Sequence, residues 1–147
     1  MARGSLRVGI VVGEHSGDTL AAALIESLRA HYPDITVEGI LGPKSIALGA
    51  KSFFPVSKIA VMGFVQPLLC LWALWRIRQY LIQYFLKNPP DVFIGVDAPD
   101  FNLGIEKRLK QAGIPTVHYV SPTIWAWRYK RIFKIKKAVD LVLCLFP

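Results

Sequence analysis

Two carboxylates flank a proline where an apolar run ends in Asp-Val-Phe-Ile-Gly-Val-Asp-Ala-Pro-Asp-Phe, residues 91–101. A run apolar on both faces reads as a strand inside a covered parallel sheet, and ligands sit beyond the carboxyl ends of such strands, so Asp97 and Asp100 stand where substrate chemistry is usually done. Two further clusters carry residue types suited to a ligand. Gly13-Glu14-His15-Ser16-Gly17-Asp18 sets two glycines and a serine at a helix start, where free backbone N–H groups hold phosphate or sugar oxygens. It lacks both Gly-x-Gly-x-x-Gly and the lysine of a phosphate loop, which weighs against dinucleotide or ATP binding. Ser121-Pro122-Thr123 follows a third apolar run.

Each candidate also has a purely structural reading. Asp100 stands directly before a helix expected from Phe101 to Gln111 and reads as its cap, and Ser16 or Asp18 reads equally well as the cap of the first helix. Glu14 gains from the dipole at that helix start whether or not it meets a ligand. Asp97 differs, because it closes the strand ahead of Ala98-Pro99 rather than preceding the helix. Its position favours a catalytic or ligand-binding role. His15 has no triad partner at readable spacing, and His118, inside an apolar strand, reads as a core residue with a hydrogen-bond partner. No His, Cys, Asp or Glu cluster has metal-ligand spacing, and neither a metal nor another cofactor is expected.

The elements that must position these residues alternate. Val8 to Val12 predicts a strand, followed by a helix with Leu20, Leu24, Ile25 and Leu28 on one face. Ile35 to Leu41 predicts a second strand, Lys44 to Leu48 one or two helical turns, and Phe53-Phe54 a short third strand. Pro67 to Lys87 has helical length but is apolar nearly all round. Val92 to Val96, Thr116 to Val120 and Val139 to Phe146 complete the strands. Alternation of this kind predicts an α/β fold, a doubly wound, Rossmann-like parallel sheet whose strand ends collect the polar clusters. With 147 residues the chain has the length of one domain, and its last strand is followed by nothing but Pro147, so residues 1–147 are expected to be a fragment.

A hydrophobic content of 53% excludes a disordered chain. The formal net charge of +8 is unevenly spread. No acid occurs between Glu38 and Asp91, and the block from Arg128 to Lys137 holds six basic residues and no acid, so anionic partners are expected. No nucleic-acid-binding module accompanies that charge, and nucleic acid is not expected as a partner. Cys70 and Cys144 are isolated in apolar runs and read as free thiols in a reducing cytoplasm. The uncharged stretch from Ile59 to Trp75 is broken by Gly63 and Gln66-Pro67 and falls short of the roughly 20 residues a membrane span requires. An interfacial surface fits it better, with Trp72, Trp75, Tyr80 and Tyr84 at headgroup level and Arg76, Arg78 and Lys87 facing anionic lipid; burial of the helix between the sheet and a partner domain is the alternative.

Four motifs in order carry a specific resemblance: Gly13 to Asp18, Ala-Val-Met-Gly at 60–63, Asp91 to Asn102, and His-Tyr-Val-Ser-Pro-Thr-Ile-Trp-Ala-Trp-Arg at 118–128. The sequence resembles the lipid-A-disaccharide synthases from Val8 onward. The resemblance implies the N-terminal domain of a B-type glycosyltransferase architecture, without metal, held peripherally at the cytoplasmic side of the inner membrane. It implies joining of UDP-2,3-diacylglucosamine to 2,3-diacylglucosamine 1-phosphate, releasing UDP and lipid A disaccharide. Asp97 matches the family's proposed general base, and Glu14, His15, Ser16, Gly17, Asp18 and Ser121 would contact substrate. The UDP-sugar donor would be held chiefly by a C-terminal domain absent from this chain. Two other classes compete: a non-catalytic membrane-surface binding module, and another sugar-nucleotide enzyme such as an epimerase.

Overall fold

The computed structural model describes residues 5–59, 67–119 and 139–143. Its strands are Arg7–Val12 (β1), Thr36–Ile40 (β2), Lys51–Ser52 (β3), Val92–Val96 (β4), Thr116–Tyr119 (β5) and Leu141–Leu143 (β6), and its helices His15–His31 (α1), Pro43–Ala47 (α2), Pro67–Lys87 (α3) and Pro99–Gln111 (α4). The strands form one sheet in the order β3-β2-β1-β4-β5-β6, with every pairing parallel. This is the doubly wound arrangement that the alternating elements predict.

The central runs are apolar without alternation because both faces of the sheet are covered. Gly17 of α1 lies over Val12 and Val96, whereas Phe85 of α3 lies over Gly9. Gly9 and Val12 are an odd number of residues apart on one strand and face opposite ways, so α1 and α3 cover opposite sides. Ile10, Val11, Val12, Phe93 and Val96 are buried accordingly.

Helix α3 divides its apolar surface. Ile77, Leu81, Ile82 and Phe85 are buried at helical spacing against the sheet, each worth roughly 1.5–3 kcal/mol of burial. Phe85 meets Phe93 edge to face at 5.5 Å between ring centroids. The helix feeds β4 at the amino edge of the sheet, so it runs back from the carboxyl edge. Its first turns therefore lie on the side where β1 and β4 end.

Apart from one-residue shifts at β1, β2 and α2, three boundaries differ from expectation. The third strand is Lys51–Ser52, not Phe53-Phe54. Ladder pairing ends with Gly39↔Ser52, and the Phe53 ring instead packs edge-on to Tyr84 at 4.6 Å. Helix α4 begins at Pro99, whose missing N–H and fixed φ suit a first helical position, so Asp100 is within the helix and Ala98 is its cap. Of the strand expected from Val139 to Phe146, Leu141–Leu143 is observed among the described residues. Ala60 to Gly63, Ser121-Pro122-Thr123 and the basic block Arg128 to Lys137 lie outside the described residues.

Candidate active site at the switch point of the sheet

The chain winds to β2 on one side of β1 and to β4 on the other, which opens a crevice beyond the carboxyl ends of β1 and β4. Val12 is in register with Val96, so Gly13-Glu14 and Asp97-Ala98 leave the sheet side by side. They touch closely: a Cβ placed on Gly13 would stand 2.2 Å from the Cβ of Ala98. Glycine at position 13 is what allows the two loops to meet.

The β4 loop is sharply turned. Asp97 (φ 55°) and Ala98 (φ 41°) both occupy the left-handed region without being glycine, at a cost on the order of 1–2 kcal/mol each. Tertiary contacts maintain this conformation. The Asp97 amide donates to the Tyr119 carbonyl at 2.9 Å, and the Ala98 carbonyl accepts from the amides of Phe101 (3.1 Å) and Asn102 (2.9 Å) in the first turn of α4. The turn sets Asp97, half-buried, at the crevice. Among the described residues, no hydrogen bond or ion pair engages its carboxylate.

Glu14, His15 and Ser16 are exposed at the start of α1. Glu14 is the extended N-cap residue, makes no side-chain cap, and accepts the Gly17 and Asp18 amides through its carbonyl at 3.1 and 3.3 Å. Neither Ser16 nor Asp18 caps α1, contrary to expectation. Asp18 turns away to the end of β2: one carboxylate oxygen accepts the Gly42 amide (2.9 Å), the Ser45 amide (3.3 Å) and the Ser45 hydroxyl (2.6 Å), the other the Lys44 amide (2.9 Å). It is 2% exposed and anchors α2, which replaces the expectation that it binds a ligand. Gly17 is buried against Val12 and Val96, so Glu14, His15 and Ser16 are the members of this motif exposed beside Asp97.

Asn102 and Glu106, one turn apart on α4 and both fully buried, are not among the candidates that the sequence singles out. The available signal was two polar residues on the helix face shared by Phe101, Ile105 and Leu109. Glu106 accepts or shares a proton with His118 Nδ1 at 2.8 Å, and burial holds its carboxyl above the ordinary glutamate value, opposed by the His118 contact. His118 is thus the partnered core residue its setting predicts. Both polar side chains on α4 fit over Gly95, where a Cβ would stand 2.0 Å from Glu106 Oε1 and 3.0 Å from Asn102 Cβ. Among the described residues, no group of three His, Cys, Asp or Glu is placed to hold a metal ion.

At the same edge, α3 exposes Leu71 (59%), Trp72 (62%) and Trp75 (52%), with the Arg76 guanidinium 4.8 Å above the Trp72 ring. Arg78 does not belong to that surface: it packs inward, 5.3 Å over the Phe101 ring and against Gly104. Among the described residues, no helix is long and apolar enough to cross a membrane.

A parallel sheet wound in this order, with a carboxylate set at its switch point, is a Rossmann-like α/β domain with a ligand crevice at its carboxyl edge. Residues 8–147 match the family described as lipid-A-disaccharide synthetase. The chain belongs to that family. It is 60% identical over 141 residues to the lipid-A-disaccharide synthase of Saccharophagus degradans, covering 96% of this chain and 36% of that protein. It is 56% identical over 147 residues to the synthase of Vibrio vulnificus strain YJ016, covering 100% of this chain and 39% of the relative, and 54% identical over 142 residues to that of Aeromonas hydrophila, covering 97% and 38%. This chain therefore spans little more than a third of the length of these curated relatives.

Proposed function

We propose that this chain supplies the acceptor-binding and catalytic-base part of an inverting glycosyltransferase of lipid A biosynthesis. The acceptor is 2,3-diacylglucosamine 1-phosphate and the donor UDP-2,3-diacylglucosamine. The observation that carries the reading is Asp97, a carboxylate held in a left-handed turn at the switch point and engaged by no described side chain. A sugar hydroxyl is a weak nucleophile until a base accepts its proton. Asp97 takes the proton of the acceptor's 6-hydroxyl while that oxygen bonds to the donor's anomeric carbon. The bond from that carbon to the UDP oxygen breaks, and UDP leaves with the electron pair. Glu14, His15, Ser16 and the backbone at Gly17 contact the acceptor from the start of α1, and Ser121 joins them as a substrate contact. The donor's nucleotide is held by a region of the family's longer chains outside this sequence.

Both substrates carry acyl chains, and the exposed Leu71, Trp72 and Trp75 with the adjacent Arg76 supply apolar surface and positive charge beside the crevice. This supports peripheral attachment to the anionic cytoplasmic face of the inner membrane. The test is Asp97→Ala in the full-length enzyme that contains this chain, assayed with both lipid substrates. Disaccharide formation is expected to fall by at least about a hundredfold with the fold retained. Turnover near wild type would leave the non-catalytic membrane module as the better description, and a product other than disaccharide would favour an epimerase or related enzyme.

A further inference from the structure

Three backbone carbonyls converge on one buried side chain. Asn102 Nδ2 lies 3.2 Å from the carbonyl oxygen of Val11, 3.4 Å from that of Val96 and 2.9 Å from that of Asp97. These acceptors come from β1, from β4 and from the turn that ends β4, so a single amide spans both walls of the crevice at its base. The orientation of the amide follows from the chemistry, since the reverse flip would press Oδ1 against three carbonyl oxygens. Oδ1 itself is buried and meets no hydrogen-bond partner among the described residues. The side chain is thus used for its donor end alone.

The same residue grips the turn twice, because its backbone amide donates to the Ala98 carbonyl at 2.9 Å while its side chain holds the Asp97 carbonyl. Asp97 and Ala98 are the two left-handed residues. Ala98 precedes a proline, and a residue there is otherwise pushed to extended backbone. Without the donor, the Asp97 carbonyl has no reason to face inward, and the turn is free to relax toward the extended form. Nothing else on α4 replaces it: the next inward polar residue, Glu106, is committed to His118.

We infer that Asn102 is the positioning residue of this site, holding the turn that fixes where the Asp97 carboxylate stands against the β1 loop. The inference rests on the reading of Asp97 as base for its kinetic consequence, though not for its structural one. In the full-length enzyme, Asn102→Ala is expected to lower kcat by about 10- to 100-fold with KM for both lipid substrates changed less than about threefold, as a displaced base does. In crystals of the variant, Asp97 and Ala98 are expected to leave the left-handed region. A kcat within twofold of wild type overturns the inference, and so does a fall in kcat with the Asp97-Ala98 backbone unmoved. Should Asn102→Ala not accumulate as folded protein, Asn102→Ser is judged by the same two criteria. Asp97→Ala separates the two readings. If that variant keeps full activity, the base assignment fails, and the backbone of Asn102→Ala alone decides whether Asn102 holds the turn.

Discussion

His118 Nδ1 and Glu106 Oε1 stand 2.8 Å apart with both side chains fully buried, a titratable pair enclosed between α4 and β5. Burial raises the Glu106 carboxyl above its ordinary value of 4.5, against the opposing pull of His118. A carboxyl with a raised folded-state pKa binds its proton more tightly in the folded than in the unfolded chain. Its stabilising contribution is full below about pH 4.5 and is lost as pH rises through the folded value. Glu106→Gln keeps the shape and removes the titration. Urea unfolding of wild type and Glu106→Gln is therefore expected to show the variant gaining stability relative to wild type as pH rises above 4.5. Glu106→Ala is expected to destabilise by about 2–4 kcal/mol at neutral pH, because it leaves a cavity and an unpartnered histidine. A pH-independent difference between wild type and Glu106→Gln would contradict this account.

Asp18 binds the start of α2 to α1 through four donors. Asp18→Ala leaves the buried amides of Gly42 and Ser45 unpaired and is expected to cost about 2–3 kcal/mol in a denaturant titration. Acceptor KM is expected to hold steady at temperatures where the variant is folded. A large rise in KM with unchanged stability would return Asp18 to the substrate contacts.

The contact between Gly13 and Ala98 gives a reciprocal test. Gly13→Ala sets two Cβ atoms 2.2 Å apart and forces the β1 and β4 loops to separate. Overpacking of this kind costs about 1–3 kcal/mol. The next atom that a new Cβ at position 13 would meet is the Ala98 Cα, at an ordinary 3.6 Å. Ala98→Gly should therefore restore most of the lost thermal stability in the Gly13→Ala background. Additive losses in the double variant would show that the loops meet differently.

Trp72 and Trp75 are more than half exposed beside Arg76. Replacing both tryptophans with alanine is expected to weaken sedimentation with phosphatidylglycerol vesicles by about tenfold or more, since each large apolar side chain inserted at an interface contributes on the order of 1–2 kcal/mol. Arg76→Glu should weaken it further, most strongly at low salt. Equal vesicle binding by wild type and the double alanine variant would remove α3 as the docking face.

Much of this arrangement is written locally in the sequence, and the parts that are not have a common cause. Val92 to Val96 is legible because a strand covered on both faces has no polar position, and Asp97 stands out as the polar residue that ends it. The left-handed turn is not legible. Alanine before proline predicts extended backbone, and the opposite outcome is imposed by Gly13, Asn102 and Tyr119 from three other elements. Asp18 misleads for the same reason, since its partners lie 24 to 27 residues away along the chain. Helix α3 is legible as apolar all round, but the division between Ile77, Leu81 and Phe85 inward and Trp72 and Trp75 outward depends on where the sheet lies. Pro99 did carry a usable signal, being suited to the first turn of a helix, and it moves the start of α4 ahead of Asp100.

Helix α3 fastens the outward tryptophans and the sheet into one stiff body. Phe85 packs on Phe93 of β4, Arg78 on Phe101 of α4, and the run from Trp72 to Phe85 covers about 20 Å at the helical rise. A domain that settles on a bilayer through such a rod keeps one rotation, about the membrane normal. If the domain docks through these tryptophans as proposed, the mouth of the crevice moves with them as one body, and part of the orientational entropy of meeting a membrane-embedded sugar is lost at docking rather than at each encounter.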